Sequence, residues 1–214
     1  MFVGHYAVSL AVKAKKPEIP LWHLFLAVQF VDILFFGLSF FRIERFNVIP
    51  DYTASTHFEL VYMPYTHSLA ATVIWGALTY GLFRISALNA AKPVALALSL
   101  AVMSHWALDF IVHTPDLPLL GGDSVKVGLG LWNYSAATYL LEAVLLGVGA
   151  WMMLKTGVST KAKRRVVGFL IALLAVNAAN IFGPAGNTSA TTLAVAALTA
   201  YFAFAGIAYW AVDK

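Results

Sequence analysis

Three ionisable residues stand four apart in one apolar segment of the chain: His105, Asp109 and His113. On an α-helix this spacing drifts by only ~40° per step, so the three side chains form a stripe on one face. Imidazole nitrogen and carboxylate oxygen directed at one locus suit zinc, manganese or iron, whereas magnesium and calcium favour oxygen alone. Asp109, the central member, has the two oxygens needed to bridge a pair of ions. Few other ionisable groups interrupt apolar sequence. Asp32, His67 and Glu142 do so in three further segments, and His5 lies in a short apolar stretch ahead of Lys13. Such residues are costly inside a membrane and usually face a bundle interior or cavity. Each one alone could simply bond a neighbouring helix; their concentration is what points to a site.

The elements that must hold these residues follow from composition. The 214 residues are 61% hydrophobic and only 11% charged. A soluble domain carries about a quarter of its residues as charges, so the expected class is an all-α membrane protein with a single helical domain, residues 1–214. Six apolar runs approach the ~20 residues that spanning requires: about 21–43, 64–83, 93–113, 131–154, 166–182 and 191–212. Residues 1–12 (MFVGHYAVSLAV) are too few to span and are expected to form an interfacial or re-entrant helix. If re-entrant, it carries His5 roughly 12 Å inward from Lys13.

Lys and Arg counts orient the bundle. One side holds Lys13, Lys15, Lys16, Arg84, Lys92, Lys155, Lys161, Lys163, Arg164, Arg165 and Lys214; the other holds Arg42, Arg45 and Lys126. Eleven against three places both termini in the cytoplasm. His105 then lies ~12 Å from the outer end of its span, with Asp32 and Glu142 near mid-membrane and His67 shallower, around an outward-opening cavity. The net charge of +4 does not suggest nucleic acid, because the basic residues sit in short connections between spans. The absence of cysteine excludes disulfides and thiolate metal ligation. His23, His57 and Glu59 are expected in interfacial or solvated roles, and Asn177 and Asn180 as interhelical hydrogen-bond formers. The stretch 116–130 (DLPLLGGDSVKVGLG) reads as a surface loop that could also serve as a lid.

The fragments GHYAVSLA, QFVDILFF, PYTHSLAA and SHWALDF, in that order, resemble the bacterial LexA-regulated inner-membrane metal-dependent hydrolases, a group distantly similar to zinc-dependent phospholipase C and the S1/P1 nucleases. The resemblance covers roughly residues 1–145. It implies a bacterial inner-membrane protein with metal ligands at His5, Asp32, His67, His105 and Asp109, and Glu142 as a late ligand. Phe30 replaces the first Asp of the usual Pro-Asp-x-Asp, the His-Arg-Gly before Thr-His-Ser is missing, and Thr138 stands where another ligand histidine would fall. One or two ions, zinc foremost, are therefore implied in place of three.

The resulting expectation is a membrane-embedded hydrolase acting on a phosphoester of a lipid or lipid-linked substrate through metal-activated water. Asp32, His67, His105 and Asp109 form the core ligands, while His113 and Glu142 either ligate or orient water. Asp109 and Glu142 are the catalytic candidates. A transporter using the same buried groups as an ion or proton relay is the alternative, and helices broken near the midplane would favour it. A bis-histidine haem protein fits less well, because carboxylates are interleaved with the histidines. A purely structural membrane subunit is the remaining reading.

Overall fold

Eight α-helices and two short β-hairpins make up the fold in a computed structural model that describes residues 1–85, 89–184, 186 and 188–214. Four helices are long and apolar enough to cross a membrane: α5 (Lys92–Val112), α6 (Ser135–Leu154), α7 (Thr160–Phe182), and α8 (Ala190–Ala208) extended by a π-helical turn to Asp213. Proline in the first turn of α5, where its missing N–H is no loss, fixes that start. Ser159 and Ser189 cap α7 and α8 by accepting from the amides of Ala162 and Thr192. Large apolar side chains such as Leu78, Leu100, Val144 and Ile171 point outward from their helices. An apolar exterior of this extent marks a protein whose surroundings are lipid.

The first expected span is not one continuous helix. It comprises α2 (Leu21–Val28) and α3 (Phe30–Phe40), bent by 54° at Gln29, so the long spans number five if the bent pair counts as one. No proline or glycine causes the bend. Gln29 has left helical geometry (φ −101°, ψ 4°), is fully buried, and donates from its side-chain amide to the Phe2 carbonyl at 3.3 Å. The second expected span also differs: Pro64–Ser68 form a turn, and α4 (Leu69–Ile85) has 17 residues, short for a spanning helix. Residues 131–133 are a 3₁₀ turn, so α6 begins at Ser135 instead of Leu131.

The N-terminal segment forms α1 (His5–Lys15), which packs on α6, α2 and α5. His5, Tyr6, Ser9 and Leu10 are wholly buried. Close approach to α6 depends on Gly149, where a Cβ would lie 2.5 Å from the Ala7 carbonyl oxygen. The connections at the other end of the bundle are more ordered than loops. Strands β1 (Arg45–Val48) and β2 (Phe58–Tyr62) pair antiparallel, as do β3 (Leu117–Pro118) and β4 (Lys126–Val127). The second hairpin is tied to the end of α5, with the Leu129 and Gly130 amides donating to the Phe110 and His113 carbonyls. Gly128 is required there because a Cβ would fall 2.2 Å from the Thr114 carbonyl oxygen.

Candidate metal centre

The helical stripe on α5 supplies the centre of the site. His105 and Asp109 are buried within the helix, and His113 is the buried residue that ends it. Around Asp109 the fold gathers His5 from α1, Asp32 from α3 and His67 from the turn before α4. Its Oδ2 lies 3.0 Å from His105 Nε2, 3.6 Å from His113 Nε2 and 3.8 Å from His67 Nε2. Its Oδ1 faces the other way, 3.1 Å from His5 Nε2 and 2.5 Å from the α-amino group of Met1. Asp32 Oδ1 stands 3.3 Å from His67 Nε2 and 3.5 Å from His105 Nε2, while its Oδ2 accepts from the Tyr201 hydroxyl at 3.0 Å. Two sets of donor atoms fall within 4.8 Å of one another: His5, His105 and Asp109, and Asp32, His67 and His105.

Three of these histidines share one arrangement. Each gives its Nδ1–H to a fixed acceptor behind it and turns Nε2 toward the carboxylates. His105 donates to the Val28 carbonyl at 2.7 Å. That carbonyl ends α2, where helix carbonyls lack intrahelical partners, so the bend at Gln29 supplies the acceptor. His113 donates to Asp116 Oδ1 at 2.8 Å. His67 donates to Thr66 Oγ1 at 2.8 Å, since the Thr66 hydroxyl is itself committed to Glu44 Oε2 at 2.6 Å. Glu44 also accepts from the Tyr65 and Thr66 amides at 2.8 and 3.0 Å, which locks the turn carrying His67. Burial pushes the Glu44 carboxyl above the usual glutamate range, against the pull of these donors. An Nδ1–H bonded to a carbonyl, hydroxyl or carboxylate is how metal-ligating histidines are held, because it fixes the tautomer and aims Nε2.

The inner ends of these rings are less well satisfied. His105 Nε2 is buried without a hydrogen bond of acceptable geometry, although two carboxylate oxygens are close. His5 stacks on His105 with ring centroids 3.9 Å apart, and its Nδ1 also has no partner among the described residues. Asp32, Asp109 and Glu142 together bring three carboxylates to the site, among the rings of His5, His67, His105 and His113. Gathering carboxylates in a low-dielectric interior is expensive. A divalent cation bound by Nε2 and carboxylate oxygens would balance the charge and satisfy the orphaned nitrogen, so the donor set fits the metal expected from the sequence.

No protein-family model, curated protein or solved structure matches this chain. The geometry therefore stands by itself. All seven residues expected to ligate lie at or beside the cluster, though not in equal roles. Glu142 uses Oε2 to accept from the amides of Phe2 and Gly4, at 3.0 and 2.9 Å, and so anchors the start of α1. Its contact with the cavity is a second feature of the same carboxylate. His113 is 2% exposed and faces Asp109. Thr138 is buried and donates to the Leu131 carbonyl, with Ser55 donating to it in turn.

Three side chains at the site lie outside the set that sequence alone singles out: Glu44, Asp116 and Tyr201. Glu44 and Asp116 belong to connections between apolar runs. The adjacency of Thr66 to His67, and of Asp116 to His113 by three residues, was the available signal. Asn177 departs from expectation as well, because its buried side-chain amide has no hydrogen-bond partner among the described residues.

Proposed function

We propose that this protein is a membrane-embedded, metal-dependent hydrolase that cleaves a phosphoester of a lipid or lipid-linked substrate. The observation that carries this reading is the common mounting of His67, His105 and His113, each fixed through Nδ1 with Nε2 directed at Asp32 and Asp109. His5, His105 and Asp109 would hold one ion, and Asp32, His67 and His105 a second, with Asp109 Oδ1 and Oδ2 facing opposite sides of the cluster. Zinc is the first choice, with manganese and iron compatible with the same donors. The ions would supply Lewis acidity and an activated water.

The chain's own groups divide the remaining work. A cavity of about 280 Å³ reaches Asp32, His67, Asp109, His113 and Glu142, so a phosphoester can approach the cluster. In hydrolysis the water oxygen bonds to phosphorus and gives up a proton, the ester P–O bond breaks, and the leaving oxygen gains a proton. His113, held by Asp116 and lying on the cavity wall, would ligate or orient the attacking water. The Tyr201 hydroxyl holds Asp32 in place from the opposite side.

We place the protein in a bacterial inner membrane on the resemblance described above. The topology proposed with it has six spans, α2–α3 and α4 included, cytoplasmic termini and α1 entering from the cytoplasmic face. A transporter remains the second reading, favoured by the helix broken at Gln29 beside the charged cluster. The experiment is a chelator-sensitive phosphate- and head-group-release assay on a broad lipid panel, using metal-loaded protein. Release that stops with chelator supports the hydrolase. No release from any lipid, with metal bound, overturns it in favour of the transporter.

A further inference from the structure

The cavity at the metal centre does not end there. From the charged cluster it continues along an apolar wall formed by Val176 and Ile181 of α7 and by Leu193, Ala196 and Ala200 of α8. At their basic ends these two helices are joined. Arg165 donates to the Trp210 carbonyl at 2.9 Å and covers the Trp210 ring, and Phe169 packs on Phe204. Beyond that closure they separate, α7 following α6 while α8 lies along α2 and α3. Val176 and Ala196 both line the cavity and keep accessible surface, on two helices long and apolar enough to cross a membrane.

The other end of the cavity is roofed by the first hairpin region, including Ser55, Thr56 and Phe58. Thr56 lines this end and is 5% exposed. A charged cluster at one end and an apolar wall between two membrane-crossing helices at the other suit an amphiphile.

We infer that the wedge between α7 and α8 is a lateral portal that admits the long apolar chain of a single-tailed phosphoester, with its head group beneath Thr56 and against the cluster. This inference rests on the hydrolase reading for the chemistry of the head group, but the portal is a binding claim of its own. Small side chains at Ala196 and Ala200 leave room for the chain, and a bulky residue at either position fills the wedge.

The test is photo-crosslinking in nanodiscs with hexadecyl phosphate carrying a diazirine near its chain end, followed by peptide mapping. Adducts are expected within 176–181 and 193–200. In Ala200→Trp and Ala196→Trp they should fall by at least about tenfold, the loss that displacing two buried methylenes produces. Bound metal should stay at the wild-type level in both variants, which shows that they fold. Adducts spread around the bundle, or undiminished in both variants, overturn the portal. Adducts confined to α7 and α8 in a protein that hydrolyses nothing leave the portal standing while the hydrolase fails. If hydrolysis occurs, the tryptophan variants should raise KM for the hexadecyl ester about tenfold.

Discussion

Two carboxylates, the half-buried Asp213 and the buried Asp109, differ in how completely their partners are satisfied. At the basic end of the bundle Asp213 Oδ1 meets Lys13 Nζ at 3.0 Å, and Oδ2 accepts from the Leu21 and Trp22 amides. The Lys13 ammonium also donates to the Pro17 and Ile19 carbonyls. Every partner there is a permanent donor or acceptor, and the node closes on itself, capping α2 and tying the two ends of the chain together. Asp109 is surrounded instead by four imidazoles, three of them braced from behind, and its neighbourhood contains orphaned nitrogens and a cavity. A charge whose partners are complete holds helices together. One whose partners are mounted but incomplete is arranged for a ligand.

Substitutions on either side of this comparison should separate cleanly. The largest effect is expected at His105, which belongs to both donor sets. His105→Ala should reduce bound zinc to background in equilibrium dialysis, with the helical circular dichroism of the protein preserved. Next come the braces behind His67. Glu44→Gln or Thr66→Val should weaken zinc affinity by about 10- to 100-fold, the usual cost of losing a group that orients a ligating histidine. Competition with a fluorescent zinc chelator measures this directly.

At the other node the pattern should invert. Asp213→Ala should lower stability by about 1–3 kcal/mol, because it strands the Leu21 and Trp22 amides and removes the charge partner of Lys13, and leave zinc affinity as it was. Thermal denaturation in detergent, paired with metal analysis, reports both. The smallest change is expected for Tyr201→Phe, which removes one hydrogen bond to Asp32 worth about 0.5–1.5 kcal/mol. Loss of metal on Asp213→Ala would erase the distinction between the nodes.

Much of the site was legible in sequence because its central element is local. The 105–109–113 stripe needs only helical periodicity, and α5 forms within one residue of its expected ends. His5 could be placed by reckoning depth from Lys13, and it does reach the cluster. The parts that escaped depend on non-local geometry. Gln29 breaks a helix without proline or glycine because its side chain is drawn to the Phe2 carbonyl, a contact between segments 27 residues apart. Glu44 reads as a solvated loop residue until β1 and β2 pair and fold the turn of His67 over it. α3 ends at Phe40 and α4 starts at Leu69, because the residues flanking the hairpin turn into and out of its strands instead of continuing the helices. Gln29, three residues before Asp32 in an otherwise apolar stretch, is the local hint of the bend.

The most direct measurement is metal content by plasma mass spectrometry on purified protein, wild type beside Asp109→Ala. One or two zinc, manganese or iron atoms per chain, absent from the variant, is the expected result. Wild-type protein that remains free of metal after reconstitution would contradict the assignment of this cluster as a metal centre, and the hydrolase with it.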